Sequence, residues 1–357
     1  MRGHPGSPGH GRQAVHPVNW SRRGVVGGGA AALLVGPAAR ASAQTPFATT
    51  AIDVHHHYLP PFYKPLVKGW MDKFATGVDA VMAWTPEASL RAMDDARVER
   101  AVLSISSPGT YFGDAAQART VARDCNDYAA ALARAHPGRF ALFAALPMPD
   151  VDGAIQEAER ALSLDTVKGV GLLSNYGGRY LGDPAFRPLF EWLGRRDVVV
   201  YVHPTDAPCC AGLVPGIAMP LVEFPVDTGR TIASLLWSGT FSAFLSVRFI
   251  FSHGGGVLPM VAERVIAMGF VNRDLAKRVP EGAAAALAKL CVDTASVTGA
   301  PAMAALQAWL PQERILYGTD FPWGTLAASR ASLARLGLPP ERLAAIEHGN
   351  AVRLLGS

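Results

Sequence analysis

Eight short apolar runs, each separated from the next by a stretch of helical character, restrict this chain to very few architectures. The runs are "AIDVH" (51–55), "RAVLSIS" (100–106), "FALFAALP" (140–147), "VKGVGLLS" (167–174), "VVVYVHP" (198–204), "RFIFSHG" (248–254), "KLCVDTA" (289–295) and "ILYGTDFP" (315–322). They are hydrophobic nearly throughout and do not alternate with polar residues, as expected of parallel strands buried on both faces. The intervening segments carry helix signals. "TPEASLRAMDDARV" opens with Thr85 as N-cap and Pro86 at the first helical position, and a second helix runs from Asp114 to a Pro–Gly stop at 137–138. "DPAFRPLFEWLGRR" and "AERVIAMGF" are further helix candidates. Eight strand–helix repeats predict an α/β fold, the (β/α)8 TIM barrel. An open doubly wound sheet would call for a glycine-rich phosphate loop after the first strand, and that loop is absent.

In a barrel of this kind the chemistry sits at the C-terminal ends of the strands. Those ends carry His55 and His57 on the first strand, His203 on the fifth, His253 on the sixth and Asp320 on the eighth. Of the three consecutive histidines, His55 and His57 share a face by the two-residue period of a strand, and His56 faces away. Imidazoles and a carboxylate converging on one mouth predict a mononuclear metal site with room for water or substrate. One divalent metal is expected: Zn2+ suits imidazole-rich ligation, and Mn2+ fits if substrate oxygens complete the shell.

Residues 1–43 have a different character from the rest. The pair Arg22–Arg23, a weakly apolar Gly/Ala/Leu/Val stretch and "ASA" at 41–43 are the n-region, h-region and cleavage site of an export signal of twin-arginine type. An exported or periplasmic protein is therefore expected, or a cytoplasmic one if the start codon is misassigned. The folded domain is then 44–357. Taking the leader's five arginines from the chain's 33 basic residues leaves 28 against 29 acidic residues, so nothing points to nucleic acid or an anionic membrane surface. Beyond the leader no apolar run approaches the ~20 residues of a membrane span, and no membrane anchor is expected. The cysteines at 125, 209, 210 and 291 form no CxxC pair.

Four motifs in order, "IDVHHHYLP", "VHPTD", "FSHGGG" and "YGTDFPWG", resemble the amidohydrolase superfamily over essentially the whole chain after the leader. More narrowly, they resemble the branch of aminocarboxymuconate semialdehyde decarboxylase and related aromatic acid decarboxylases. "GLLSNYGGRYLGDPAFRPLFEWL" followed by "VVVYVHPTD" is similar to 6-methylsalicylate decarboxylases. The resemblance implies a metal held by His55, His57, His203 and Asp320, with His253 beside it handling protons. It implies that Arg264, eleven residues after His253, holds substrate carboxylate, in some members from a neighbouring subunit, and hence a homodimer. The semialdehyde decarboxylase pattern has a second carboxylate-binding arginine shortly before "WxPE"; here Ala80 stands there, which disfavours a dicarboxylate.

The expected activity is non-oxidative decarboxylation of a small aromatic carboxylate, 6-methylsalicylate or a similar 2-hydroxybenzoate. Asp320 is the expected proton donor to the ring carbon and His253 the shuttle. Thr205, Asn175 and Trp323 lie near strand ends and are candidate substrate contacts. Asp293, at the end of the seventh strand, is a candidate metal ligand, although the family resemblance implies instead a structural role or support of a ligand, and His56 and His348 are not expected to bind metal. The alternative is a metal-dependent hydrolase of a lactone or other small ester, using metal-bound hydroxide with His253 as base.

Overall fold

The computed structural model describes residues 47, 49–73, 77–210 and 212–356. The leader, with Arg22 and Arg23, lies outside the described residues. All eight predicted strands form: β1 Ala51–His57, β2 Val98–Ser104, β3 Phe140–Ala145, β4 Val167–Leu173, β5 Val198–His203, β6 Val247–Phe251, β7 Cys291–Asp293 and β8 Ile315–Leu316. Each pairs in parallel with the next in a single sheet. β8 is joined back to β1 by backbone hydrogen bonds: Val54 N–H donates to Tyr317 O (3.0 Å), Asp320 N–H to His55 O (2.9 Å) and His57 N–H to Phe321 O (2.7 Å). The sheet is thus a (β/α)8 barrel.

The residues inside it explain the unbroken hydrophobicity of the strands. Ile52, Val54, Val102, Phe143, Val199, Tyr201, Ile250 and Leu316 pack together in an inner core, while the opposite strand faces pack on the helices in a larger outer one. The Thr85 cap read from the sequence is present, and the structure adds a cap at Asp114, the expected start of the second helix. Thr85 accepts from Ala88 N–H ahead of the helix Pro86–Asp95, and Asp114 accepts from Gln117 N–H ahead of Ala115–Ala135.

β7 and β8 are shorter than their apolar runs. Just past β8, Gly318 presses against neighbouring side chains. A Cβ there would stand 2.8 Å from that of Asp293 and 2.9 Å from that of His55, so only glycine permits the approach. At the opposite end of the barrel, fully buried Arg330 donates to Thr49 O (3.0 Å), Ala96 O (2.8 Å) and Arg97 O (3.2 Å) and pairs with Glu347 at 2.9 Å. It therefore ties the chain entering β1 to the loop before β2. Cys209 and Cys210 are joined by a vicinal disulfide in the loop after β5. No helix among the described residues is long and apolar enough to cross a membrane.

Candidate metal centre and active site

A slip in strand register places the first two candidate ligands. The pairing of β1 with β2 shifts between Asp53 and His56. Before the slip Ile52 and Val54 belong to the inner core; after it His55 and His57 take the inward face, at the mouth. Bulges of this kind re-aim side chains beside active sites. His56 is turned outward into a buried network, with Nδ1 3.0 Å from Asp53 Oδ2, Nε2 2.9 Å from Ser89 Oγ, and its ring stacked on Phe321. Asp53 also accepts from the Thr319 amide (3.1 Å) and hydroxyl (2.6 Å), which fixes the segment that carries Asp320.

His55, His57, His203 and Asp320 present one ligand atom each, all within 4.8 Å of one another. His55 Nε2 and His57 Nε2 are 3.0 Å apart, and Asp320 Oδ1 is 3.1 Å from the first and 3.0 Å from the second. Asp320 Oδ1 is buried without a properly directed hydrogen bond. Converging lone pairs around an orphaned, buried carboxylate oxygen fit a divalent cation. The far ring nitrogens are held as metal-binding histidines require. His57 Nδ1 lies 3.2 Å from Ser104 O, His203 Nδ1 2.8 Å from Pro204 O, and His55 Nδ1 3.0 Å from Asp293 Oδ2.

Asp293 is the hub of that support. Its Oδ1 accepts from the His253 and Ala295 amides, both at 3.0 Å, and its Oδ2 from the Tyr201 hydroxyl at 3.1 Å. Asp293 thus stands beside His55, in contact with its far nitrogen at 3.0 Å. Tyr201 was not singled out, although it sits two residues before His203 on the same strand and the period-2 rule points it inward.

Electrostatics set the protonation states of the metal-free cluster. Burial opposes charge on His55, but the Asp293 and Asp320 carboxylates outweigh it and raise its pKa to about 10. Burial, together with the neighbouring imidazoles, holds His203 well below the usual histidine range, and burial also lowers His57. Burial would push Asp320 up; His55, His253 and His57 instead keep it well below the usual carboxylate range. Asp320, His57 and His203 are thus in the anionic or neutral forms a cation needs, while His55 is protonated in the metal-free cluster and would give up that proton for a cation to bind.

Asp320 Oδ2 points the other way, 3.2 Å from His253 Nε2. Both face a cavity of about 350 Å3 with an apolar wall that includes Trp70, Leu221, Phe224 and Trp323. Trp323 thus stands where the sequence places it. Trp70, Leu221 and Phe224 come from helices, which reading strand ends does not reach. Thr205 and Asn175 are brought together elsewhere, around a second cavity of about 370 Å3 beside the first. Arg264 is exposed on the helix Leu258–Val271, outside the lining of either cavity. His348 pairs with Glu99 at 2.8 Å, away from the site.

Comparison with known proteins agrees with this architecture. A decarboxylase of Aspergillus niger is 41% identical over 228 residues, an alignment that spans 60% of each chain. The 6-methylsalicylic acid decarboxylase of Aspergillus aculeatus is 33% identical over 282 residues, covering 76% of this chain and 84% of that protein. A crystal structure of 5-carboxyvanillate decarboxylase from Novosphingobium aromaticivorans, with manganese bound, superposes with a TM-score of 0.78 at 21% identity, over 87% of this chain and 97% of that one. The family model described as amidohydrolase matches residues 52–357, from the first strand through the last helix, and the chain belongs to the amidohydrolase family.

Proposed function

We propose that the chain is a metal-dependent, non-oxidative decarboxylase of a small aromatic carboxylic acid, 6-methylsalicylate or a similar 2-hydroxybenzoate. One observation carries the reading. The Asp320 carboxylate turns one oxygen to the ligand nitrogens and the other to His253, at the floor of an apolar cavity. Its Aspergillus relatives, named as decarboxylases, support it. When bound, a divalent cation acts as a Lewis acid on substrate oxygens. Zn2+ suits the three imidazoles, and Mn2+ suits a shell that substrate oxygens complete.

The chain's own groups must solve a different problem. An aromatic ring cannot release CO2 while the electron pair of the breaking bond has nowhere to go. Protonating the ring carbon that bears the carboxylate provides the place, and it needs a donor within hydrogen-bonding reach. Asp320 Oδ2 is that donor. Because its neighbours hold the carboxyl ionised at rest, the proton is drawn through the 3.2 Å contact with His253, the shuttle and orienter. The carbon–carbon bond then breaks, CO2 leaves, and the ring recovers its aromaticity as a phenol. Trp323 and its apolar neighbours exclude water and cover the ring.

The same reading includes a homodimer, in which exposed Arg264 meets substrate carboxylate in the partner's mouth, and an export leader at residues 1–43 ahead of a catalytic domain at 44–357. The test is product analysis by mass spectrometry on metal-loaded protein given 6-methylsalicylate and a panel of hydroxybenzoates. CO2 and the matching phenol are expected from wild type, with a loss of at least about 100-fold in Asp320→Asn. Absence of CO2 from every panel member, alongside turnover of lactones, would move the chain to the hydrolases with His253 as base.

A further inference from the structure

The mouth of the barrel holds two cavities of nearly equal size, about 350 and 370 Å3, with no lining residue in common. The metal quartet accounts for the first. The second lies over the ends of β2 to β5, and it contains the two residues, Thr205 and Asn175, that the sequence marks for substrate and the metal-side cavity does not use.

Its lining is rich in hydrogen-bond donors. Arg179, on the two-residue hairpin formed by Asn175–Tyr176 and Arg179–Tyr180, faces it; the guanidinium lies 5.4 Å from the Phe186 ring centroid, and no carboxylate among the described residues pairs with it. Thr205 is only 8% exposed, yet its hydroxyl has no partner among the described residues. The Tyr176 hydroxyl accepts from Leu173 N–H at 2.9 Å, which leaves its own proton free to donate. Asn175 is satisfied already: its Nδ2 donates to Asp227 Oδ2 at 2.9 Å and its Oδ1 accepts from Gly178 N–H, so it shapes the wall. Pro108 and Pro149 supply apolar surface. A cation, a free hydroxyl and a phenol beside apolar surface suit a small anion with an apolar body.

We propose that this second cavity is a binding site for a small aromatic carboxylate, with its carboxylate on Arg179 and Thr205 and its ring against Pro108 and Pro149. The choice of an aromatic acid rests on the decarboxylase reading; the preference for a carboxylate rests on the donors alone. One acid, Asp206, stands in the inner wall. Its Oδ2 accepts from Trp70 Nε1 at 3.0 Å, and the Trp70 residue lines the catalytic cavity. The pair is the partition between the cavities. Because Thr205 and Asp206 follow metal-binding His203 by two and three residues, a ligand in the second cavity bears on the wall of the first.

The test is calorimetric titration of the metal-loaded full chain with benzoate, which lacks the 2-hydroxyl that the proposed chemistry uses. Two sites per chain are expected. Arg179→Gln should weaken one of them by about tenfold or more, the loss of a charge-assisted hydrogen bond, and leave the other unchanged. Thr205→Val should weaken that same site several-fold, and Phe224→Trp, which fills the catalytic cavity, should remove only the other. A wild type in which no benzoate site, whether one or two are seen, is weakened by Arg179→Gln overturns the proposal. If instead the decarboxylase reading is at fault, the hydroxybenzoate panel yields no CO2 while the Arg179-dependent benzoate site persists.

Discussion

Asp320 and His253 both adopt a left-handed backbone, with φ of 60° and 52°, a conformation that costs a non-glycine residue about 1–3 kcal/mol where the surroundings must hold it. These are the two residues assigned to proton transfer. Their strain is held by neighbours: Asp53 clamps Thr319 immediately before Asp320, and Asp293 takes the His253 amide. Asp293 therefore acts on the site twice, through that amide and through His55 Nδ1. Asp293→Asn keeps the volume and loses the charge. It is expected to lower metal affinity by about 10- to 100-fold, as loss of a ligand's carboxylate partner does, in competition against a chromophoric chelator. Unchanged affinity would leave Asp293 a purely structural residue.

At the scale of elements, the barrel's two ends are held by different means. The mouth is closed by the β8–β1 backbone bonds and the Asp53–Thr319 clamp. The base is closed by Arg330, whose pairing with Glu347 is buried on both sides, at 1% and 2% exposure. Removing one partner strands the other charge, so Arg330→Met is expected to cost about 3–5 kcal/mol in urea unfolding. Arg330→Met with Glu347→Leu recovers the part due to the stranded charge and not the part due to the Thr49, Ala96 and Arg97 carbonyls. A single substitution costing under about 1 kcal/mol would show that Glu347 reaches water instead. The strands, the Thr85 cap and the helix start at Asp114 were legible because each depends on a few neighbouring residues: a β-branched run, Thr85 ahead of Pro86, Asp114 ahead of a helical stretch. The Arg330 clamp was not, since its partners at Thr49 and Ala96 lie 281 and 234 residues away.

For the whole molecule, the outer helix Leu258–Val271 leaves Met260, Phe270 and Val271 at 79%, 76% and 80% exposed, on the element that carries Arg264. Exposed apolar side chains collected on one helix suit a contact surface, and the proposed homodimer would cover this one. Phe270→Glu is expected to shift the molar mass in solution from dimer to monomer, read by light scattering, and to raise KM for the aromatic acid if Arg264 acts across the interface. A wild-type protein that is monomeric at the same concentration would remove both the dimer and the assignment of Arg264 in trans.

The order of strands and the chemistry at their ends, with His55, His57, His203, His253 and Asp320 around one mouth, could be read from the sequence, because hydrophobic period and strand end are local properties and a barrel gathers all eight ends. What required the tertiary structure is everything set by contact across the chain. The register slip between Asp53 and His56 turns His55 and His57 inward where strict alternation from Ile52 and Val54 would have turned them out. Gly318 lets β8 approach His55 and Asp293. The loops after β4 and β5 place Asn175 and Thr205 around the second cavity and not the first. Each of these depends on which atoms meet after packing, and no residue's neighbours in sequence record that.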